Sequence, residues 1–149
     1  MRHVLHQVRT IVRRCLRCVR GASAVEFALV TPLFLAMVFG IIMFGSYLAV
    51  IHGVQQLAAE AARTSIAGLS DSERGDLARN YVTAHAAAYP LIVPAQVSVN
   101  ATASPSDANV FVVTVNYDAS GLFIYSLPSF VPVPSSAIAR SAAIPRGGY

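Results

Sequence analysis

Lysine and tryptophan are absent from this chain, and cysteine occurs only at positions 15 and 18. Each absence closes a class of explanation. With no cysteine after residue 18, no disulfide framework can staple the greater part of the chain. Cys15 and Cys18 form a single C-x-x-C. A structural zinc site needs a second pair, and a thioredoxin-like site needs a βαβ setting that the sequence lacks. The pair reads as two small apolar residues on one side of a basic helix. Charge is scarce as well, at 12% of the 149 residues, against roughly 25% in an ordinary soluble domain. Every basic residue is an arginine, and six of them (Arg2, Arg9, Arg13, Arg14, Arg17, Arg20) precede Gly21, a stretch without any acid. From Gly21 onward five arginines stand against seven carboxylates. The pI near 9.5 therefore belongs to the leader. With no lysine, and no Phe, Tyr or Trp among its arginines, the leader is not read as a nucleic-acid-binding surface.

Apolar residues take up what charge leaves, at 55% of the chain and a mean hydropathy of +0.57. Residues 27–51 are 25 positions without one charge. As a helix they reach about 37 Å, enough to cross a hydrocarbon core of roughly 30 Å with some tilt. No other segment is apolar enough to bury such a helix, so it is read as a transmembrane span. Arginines crowd its N-terminal flank, while the other flank offers only His52 before Glu60 and Arg63. The positive-inside rule then places residues 1–20 in the cytoplasm and everything after residue 52 outside it. A cleaved secretory signal has a shorter apolar region followed by small residues. Here the small residues Gly21-Ala22-Ser23-Ala24 come first.

Just inside the threshold of this span stands an acid, Glu26. A carboxylate carried unpaired to the bilayer centre costs up to about 2.5–3.5 kcal/mol, so a partner is expected. A cut after Gly21 would supply one. The new α-ammonium of Ala22 lies four residues, one helical turn, before Glu26, and a neighbouring copy could offer the same cation. Opposite charges about 4 Å apart attract by roughly 4 kcal/mol at an effective dielectric of 20. Such a pair offsets the burial cost and rewards one axial register between packed helices.

The stretch Gly21-Ala22-Ser23-Ala24-Val25-Glu26-Phe27 resembles the type IV pilin-like cleavage motif, a Gly followed four residues later by Glu-Phe ahead of an uninterrupted apolar helix. With "RGASAVEFALVTPLFLAMVFGII" and the later "VQQLAAEAAR", residues 20–67 are similar to TadE-like and TadG-like pseudopilins of the bacterial tight-adherence (Tad/Flp) pilus system. The resemblance implies cutting between Gly21 and Ala22 by a prepilin peptidase, an aspartic membrane protease. It also implies residence in the bacterial inner membrane or the pilus, partnership with other pilins, pseudopilins and Tad assembly proteins, and a role in adhesion or biofilm formation. Gly21, Ala22, Glu26 and Phe27 are the processing and assembly residues on this reading.

Small residues recur four apart within the span, Ala36 with Gly40 and Gly45 with Ala49, which lets helix backbones approach closely in lipid. Pro32 withholds the hydrogen bond that the Ala28 carbonyl would receive and predicts a bend near the cytoplasmic end. Past the span, Val54, Leu57, Ala58, Ala61 and Ser65 make a narrow stripe opposite Gln55, Gln56, Glu60 and Arg63, with Glu60 and Arg63 spaced to pair. One helix is expected over residues 22–67, a transmembrane span continuing into a stalk and ended by Gly68 as its C-cap. The stripe either leads to the following domain or forms an assembly surface.

Residues 68–149 are expected to form a small extracytoplasmic α+β domain. Ser70-Asp71-Ser72-Glu73 has capping-box spacing and opens a second helix over 71–88, with Leu77, Tyr81, Ala84 and Ala88 as its apolar stripe. The period then falls to two. Val97, Val99, Ala101 and Ala103 alternate with polar residues. Phe111, Val113, Val115 and Tyr117 do likewise, and 104–109 is a polar link suited to antiparallel strands. A third strand is expected over 136–144. Residues 119–134, "ASGLFIYSLPSFVPVP", make a long loop whose apolar content either packs over the sheet or forms an exposed contact patch.

No catalytic constellation emerges. His3, His6, His52 and His85 lack metal-ligand spacing with a nearby acid, no nucleophile-elbow motif frames a serine, and no glycine loop suits a phosphate. The expectation is a non-enzymatic structural protein without metal or cofactor. A single-pass anchor that is never cleaved and carries an extracytoplasmic binding or adhesion module is the alternative. An enzyme subunit acting through another chain is the remote third.

Overall fold

The computed structural model describes the backbone of residues 19–146 and the side chains of residues 23–146. The leader through position 18, including Cys15 and Cys18, lies outside the described residues, as do the side chains of residues 19–22. The chain divides between Ile42 and Met43 into two compact units.

Helix α1 runs 47 residues, Val19–Ser65. It starts before Ala22, so the backbone of Gly21 lies inside the helix rather than at its boundary. Pro32 is accommodated within it. In the first unit none of the apolar stretch is buried by the rest of the chain, and among the described residues this is the one helix long and apolar enough to cross a membrane. That fits a single-pass membrane protein.

In the second unit α1 becomes the spine of a folded head. Helix α2 spans Asp71–His85, followed by a 3-10 turn at Ala86–Ala88. The strands β1 (Val97–Ala103), β2 (Val110–Asp118) and β3 (Ala137–Pro145) form one antiparallel sheet in the order β1-β2-β3. Val99 pairs with Val115, and Val113 with Ala142. This matches the α+β architecture expected from the change of period. Because side chains alternate across a strand, Phe111, Val113, Val115 and Tyr117 all point one way, and all four are buried.

Those strand residues share one hydrophobic cluster with Val50, Val54, Leu57, Ala58, Ala61 and Ala62 of α1. The stripe after the span is therefore core, not an assembly surface. Its small residues suit it to close packing, and buried Ser65 keeps its hydroxyl satisfied by donating to the Ala62 carbonyl at 2.7 Å. The outward side carries the expected ion pair, Arg63 to Glu60 at 2.9 Å.

Three local expectations need correction. First, Gly68 does not cap α1 in a left-handed conformation. The helix tapers through i→i−3 bonds from Ile66, Ala67 and Gly68 to Arg63, Thr64 and Ser65, and the φ of Gly68 is not in the left-handed region. Its glycine is needed for proximity, since a Cβ there would stand 2.7 Å from the Arg74 backbone nitrogen. Second, α2 ends at His85, three residues early, and the alanines after it tighten into 3-10 geometry. Third, its buried face is Arg74, Ala78 and Val82, continued by Ala86. This is turned from the expected Leu77, Tyr81, Ala84 and Ala88, of which the alanines are exposed. Tyr81 still packs against the edge of the core, while Ala78 and Val82 belong to the buried cluster itself. The capping box forms with one shift: Ser70 Oγ accepts from the Glu73 amide at 3.2 Å, while Glu73 accepts from the Leu69 amide at 2.9 Å. His85 stays exposed, with its ring stacked on Tyr81.

The long loop divides between the two alternatives. Ile124, in a 3-10 turn at Phe123–Ser126, is fully buried, whereas Phe123 is 70% and Phe130 is 83% exposed.

Candidate processing and assembly segment

The residues singled out by sequence, Gly21, Ala22, Glu26 and Phe27, lie together in the first turns described of α1. Four residues of helix rise about 6 Å and turn slightly more than one full circle, so positions 22 and 26 share a face. The carboxylate of Glu26 is exposed and Phe27 is 72% exposed. Among the described residues the ion pairs are Arg63–Glu60, Arg79–Asp76 and Arg146–Asp71, and none includes Glu26. From Ser23 to Ala59 it is the single formal charge. Within residues 23–59 of the helix no other formal charge can meet this carboxylate.

Around it the helix is built for a medium other than water. Leu29, Leu33 and Phe34 are more than half exposed, and so are Ile41 and Ile42. A helix segment apolar on all sides and uncovered by its own fold, as residues 27–42 are, requires lipid or other helices. Pro32 leaves the Ala28 carbonyl without its usual donor. One residue earlier, the Thr31 hydroxyl donates to the Phe27 carbonyl at 2.6 Å. Gly40 and Gly45 have nothing within 4 Å of where a Cβ would be, so packing within the chain does not demand glycine at either position.

At the other end of α1, Tyr47, Val50 and Ile51 fall within the uncharged run of 27–51, and yet they pack in the head. The Tyr47 hydroxyl donates to the Ser135 carbonyl at 3.2 Å, and the Tyr125 hydroxyl donates to the same oxygen at 2.8 Å. Burial first, and the nearby Tyr47 second, push the Tyr125 phenol above its ordinary pKa. At the end of β2 the Ser120 amide donates to Asp118 at 2.9 Å, which holds that carboxyl below its ordinary value.

One buried charged residue escaped sequence reasoning. Arg74 is 9% exposed, donates from Nε to the Gly68 carbonyl and from Nη2 to the Arg146 carbonyl, both at 2.9 Å, and leaves Nη1 without a partner. It ties the end of α1 to the end of β3. The signal that could have found it is its spacing of four from Ala78, Val82 and Ala86, which sets it on their face of α2. Beside it Arg146 pairs with Asp71 and donates to the Ala108 carbonyl, so this end of the head is held by charged groups.

Residues 21–63 match the family model of TadE-like proteins. The matched stretch opens on Gly21, includes Glu26 and Phe27, and closes two residues before α1 ends. Over that stretch the chain is similar to TadE-like proteins. No curated protein and no solved structure matches the chain.

Proposed function

We propose that this protein is a pseudopilin-like component of a Tad/Flp-type pilus, cut by a prepilin peptidase between Gly21 and Ala22 and used in adhesion or biofilm formation. The observation that carries the reading is one register. A cleavage-type glycine, a lone acid five residues later and Phe27 open a helix whose first part, through Ile42, leaves its large apolar side chains uncovered, and the TadE-like match begins at that same glycine. The protein sits in the bacterial inner membrane with its arginine-rich end cytoplasmic and its α+β head outside, as the arginine asymmetry favours. Its partners are the peptidase, other pilins or pseudopilins, Tad assembly proteins and lipid. Its work is structural rather than enzymatic.

The bond to be cut lies within a helix, and a protease needs that helix opened locally. Gly21 eases this, because glycine in a helix interior costs about 1 kcal/mol relative to alanine. After cutting, the Ala22 ammonium faces Glu26 of its own chain or of a neighbour, and the acid is no longer alone.

N-terminal sequencing and intact mass of protein extracted from native membranes test the proposal. A start at Ala22 is expected, and Gly21→Leu should block it. Assembled protein that keeps all its arginine-rich leader would instead favour an uncleaved anchor carrying a binding module.

A further inference from the structure

The loop between β2 and β3 joins two features that the pilus reading leaves unused: bare aromatic side chains, and an anchor to the helix at one particular height. Residues 119–139 hold no charged side chain. Within them Ile124 is the buried plug, while Phe123 and Phe130 stand 70% and 83% exposed and Val133 40%. The loop is fixed where Tyr125 and Tyr47 both donate to the Ser135 carbonyl. Tyr47 belongs to the uncharged run. A hydrocarbon core of roughly 30 Å takes about 20 helical residues. Counted from Phe27, this brings the edge of the core to Tyr47. The loop is thus pinned at the level where lipid gives way to water.

The polarity of the head runs the same way. The sheet register puts the Val110–Pro145 pair at one end of β2 and the Asp118–Ala137 pair at the other. The first end carries the Arg146–Asp71 pair and buried Arg74 beside the C-terminal end of α1. The second carries the aromatic loop, with Asp118 as its nearby acid. Tyrosines with an apolar body and a wet hydroxyl, next to exposed phenylalanines, are what the membrane interface concentrates.

We propose that residues 121–134 form an interfacial foot, with Phe123 and Phe130 seated in the headgroup region of the phospholipid leaflet facing the head. The foot limits tilting of the head against the bilayer. It rests on the reading of α1 as a membrane span.

The chain has no tryptophan, so a single introduced indole reports one position. Full-length Phe123→Trp, Phe130→Trp, Leu35→Trp and Ala108→Trp variants are reconstituted in phosphatidylcholine vesicles whose acyl chains are either brominated or plain. Both phenylalanines and Ala108 are exposed, so these changes spare the core. Phe123→Trp and Phe130→Trp are expected to lose most of their emission to the brominated lipid, as Leu35→Trp does. Ala108→Trp, in the loop at the charged end, keeps its emission. Quenching at 123 and 130 no greater than at 108, while Leu35→Trp is quenched, overturns the foot and leaves the span standing. Blue-shifted but unquenched emission at 123 and 130 also overturns it, since a protein surface rather than lipid then covers the loop. If Leu35→Trp itself is unquenched, the membrane reading and the foot fall together.

Discussion

Replacing Glu26 by Gln keeps the length of the side chain and removes its charge, which isolates the electrostatic part of the assembly proposal. Between Ser23 and Ala59 no other formal charge exists to set an axial register, and exposed Leu, Ile and Phe side chains can slide past one another at little cost. With processed protein the Ala22 ammonium becomes the complementary charge. A pair about 4 Å apart is worth roughly 4 kcal/mol at an effective dielectric of 20. Sliding one helix by a single turn, about 5.4 Å, stretches such a pair to about 7 Å and leaves roughly 2.4 kcal/mol. The correct register therefore gains about 1.6 kcal/mol per contact, a little over tenfold. Glu26→Gln should lower the amount recovered in the assembled fraction by about tenfold or more, because a subunit makes this contact with its neighbours repeatedly. Its level in the membrane should not change, and its N-terminus should still be Ala22. Quantitative immunoblotting of sheared filaments and membranes, with sequencing of both, makes the measurement. Wild-type incorporation of correctly processed Glu26→Gln protein would refute the pairing.

Other substitutions test the head, each in the full-length protein in detergent. Phe111→Ala empties a fully buried site in the core cluster of the head and should cost about 3–5 kcal/mol, read as a large drop in the thermal midpoint by circular dichroism. Gly68→Ala and Gly75→Ala should part in sign. The first forces a Cβ onto the Arg74 backbone and should cost about 1–3 kcal/mol. The second meets first the far end of the Arg79 side chain, which can shift, and should gain about 0.5–1 kcal/mol from better helix propensity; equal effects would show that the close approach at Gly68 is not limiting. Because the Tyr125 phenol is raised, its protonated form is favoured by the fold. Its contribution is complete below about pH 10 and is lost as pH rises through the higher folded value. Tyr125→Phe should flatten that alkaline limb of the stability profile, whereas an unchanged limb would mean that another group titrates there.

Much of this architecture was legible because period is a direct imprint of geometry. The alternation from Val97 and again from Phe111 yields strands with the expected faces, and the Glu60–Arg63 spacing yields the ion pair. What escaped reading depends on distances between elements. Gly68 looks like a helix stop in one dimension, and only the nearness of Arg74 shows why a side chain is excluded. The face of α2 was misjudged because its sequence offers two stripes at helical spacing, Leu77-Tyr81-Ala84-Ala88 and Arg74-Ala78-Val82-Ala86, and only the placement of the helix against the rest of the head decides between them. Arg74 was invisible for the converse reason: an arginine enters a core only where backbone carbonyls, here those of Gly68 and Arg146, are aimed at it.

The uncharged run from residue 27 to 51 contains two environments that hydropathy cannot separate. Its first part presents Phe27, Leu33 and Ile41 to the surroundings, while Val50 is completely covered by the head. Both demand apolar side chains, one for lipid and one for a core. The run therefore combines a helix long and apolar enough to cross a membrane with the first turn of a hydrophobic core. The point of change is marked by a residue able to serve both, Tyr47, with its ring against the head and its hydroxyl on the Ser135 carbonyl. A Tyr47→Leu variant would keep the apolar requirement and remove the hydroxyl. If the polar tip matters only for the loop, the variant should insert normally and loosen residues 121–134, seen as faster amide exchange there, with the β2 amides still protected. Exchange rising equally across β2 would instead make Tyr47 an ordinary core residue and place the change of medium elsewhere on α1.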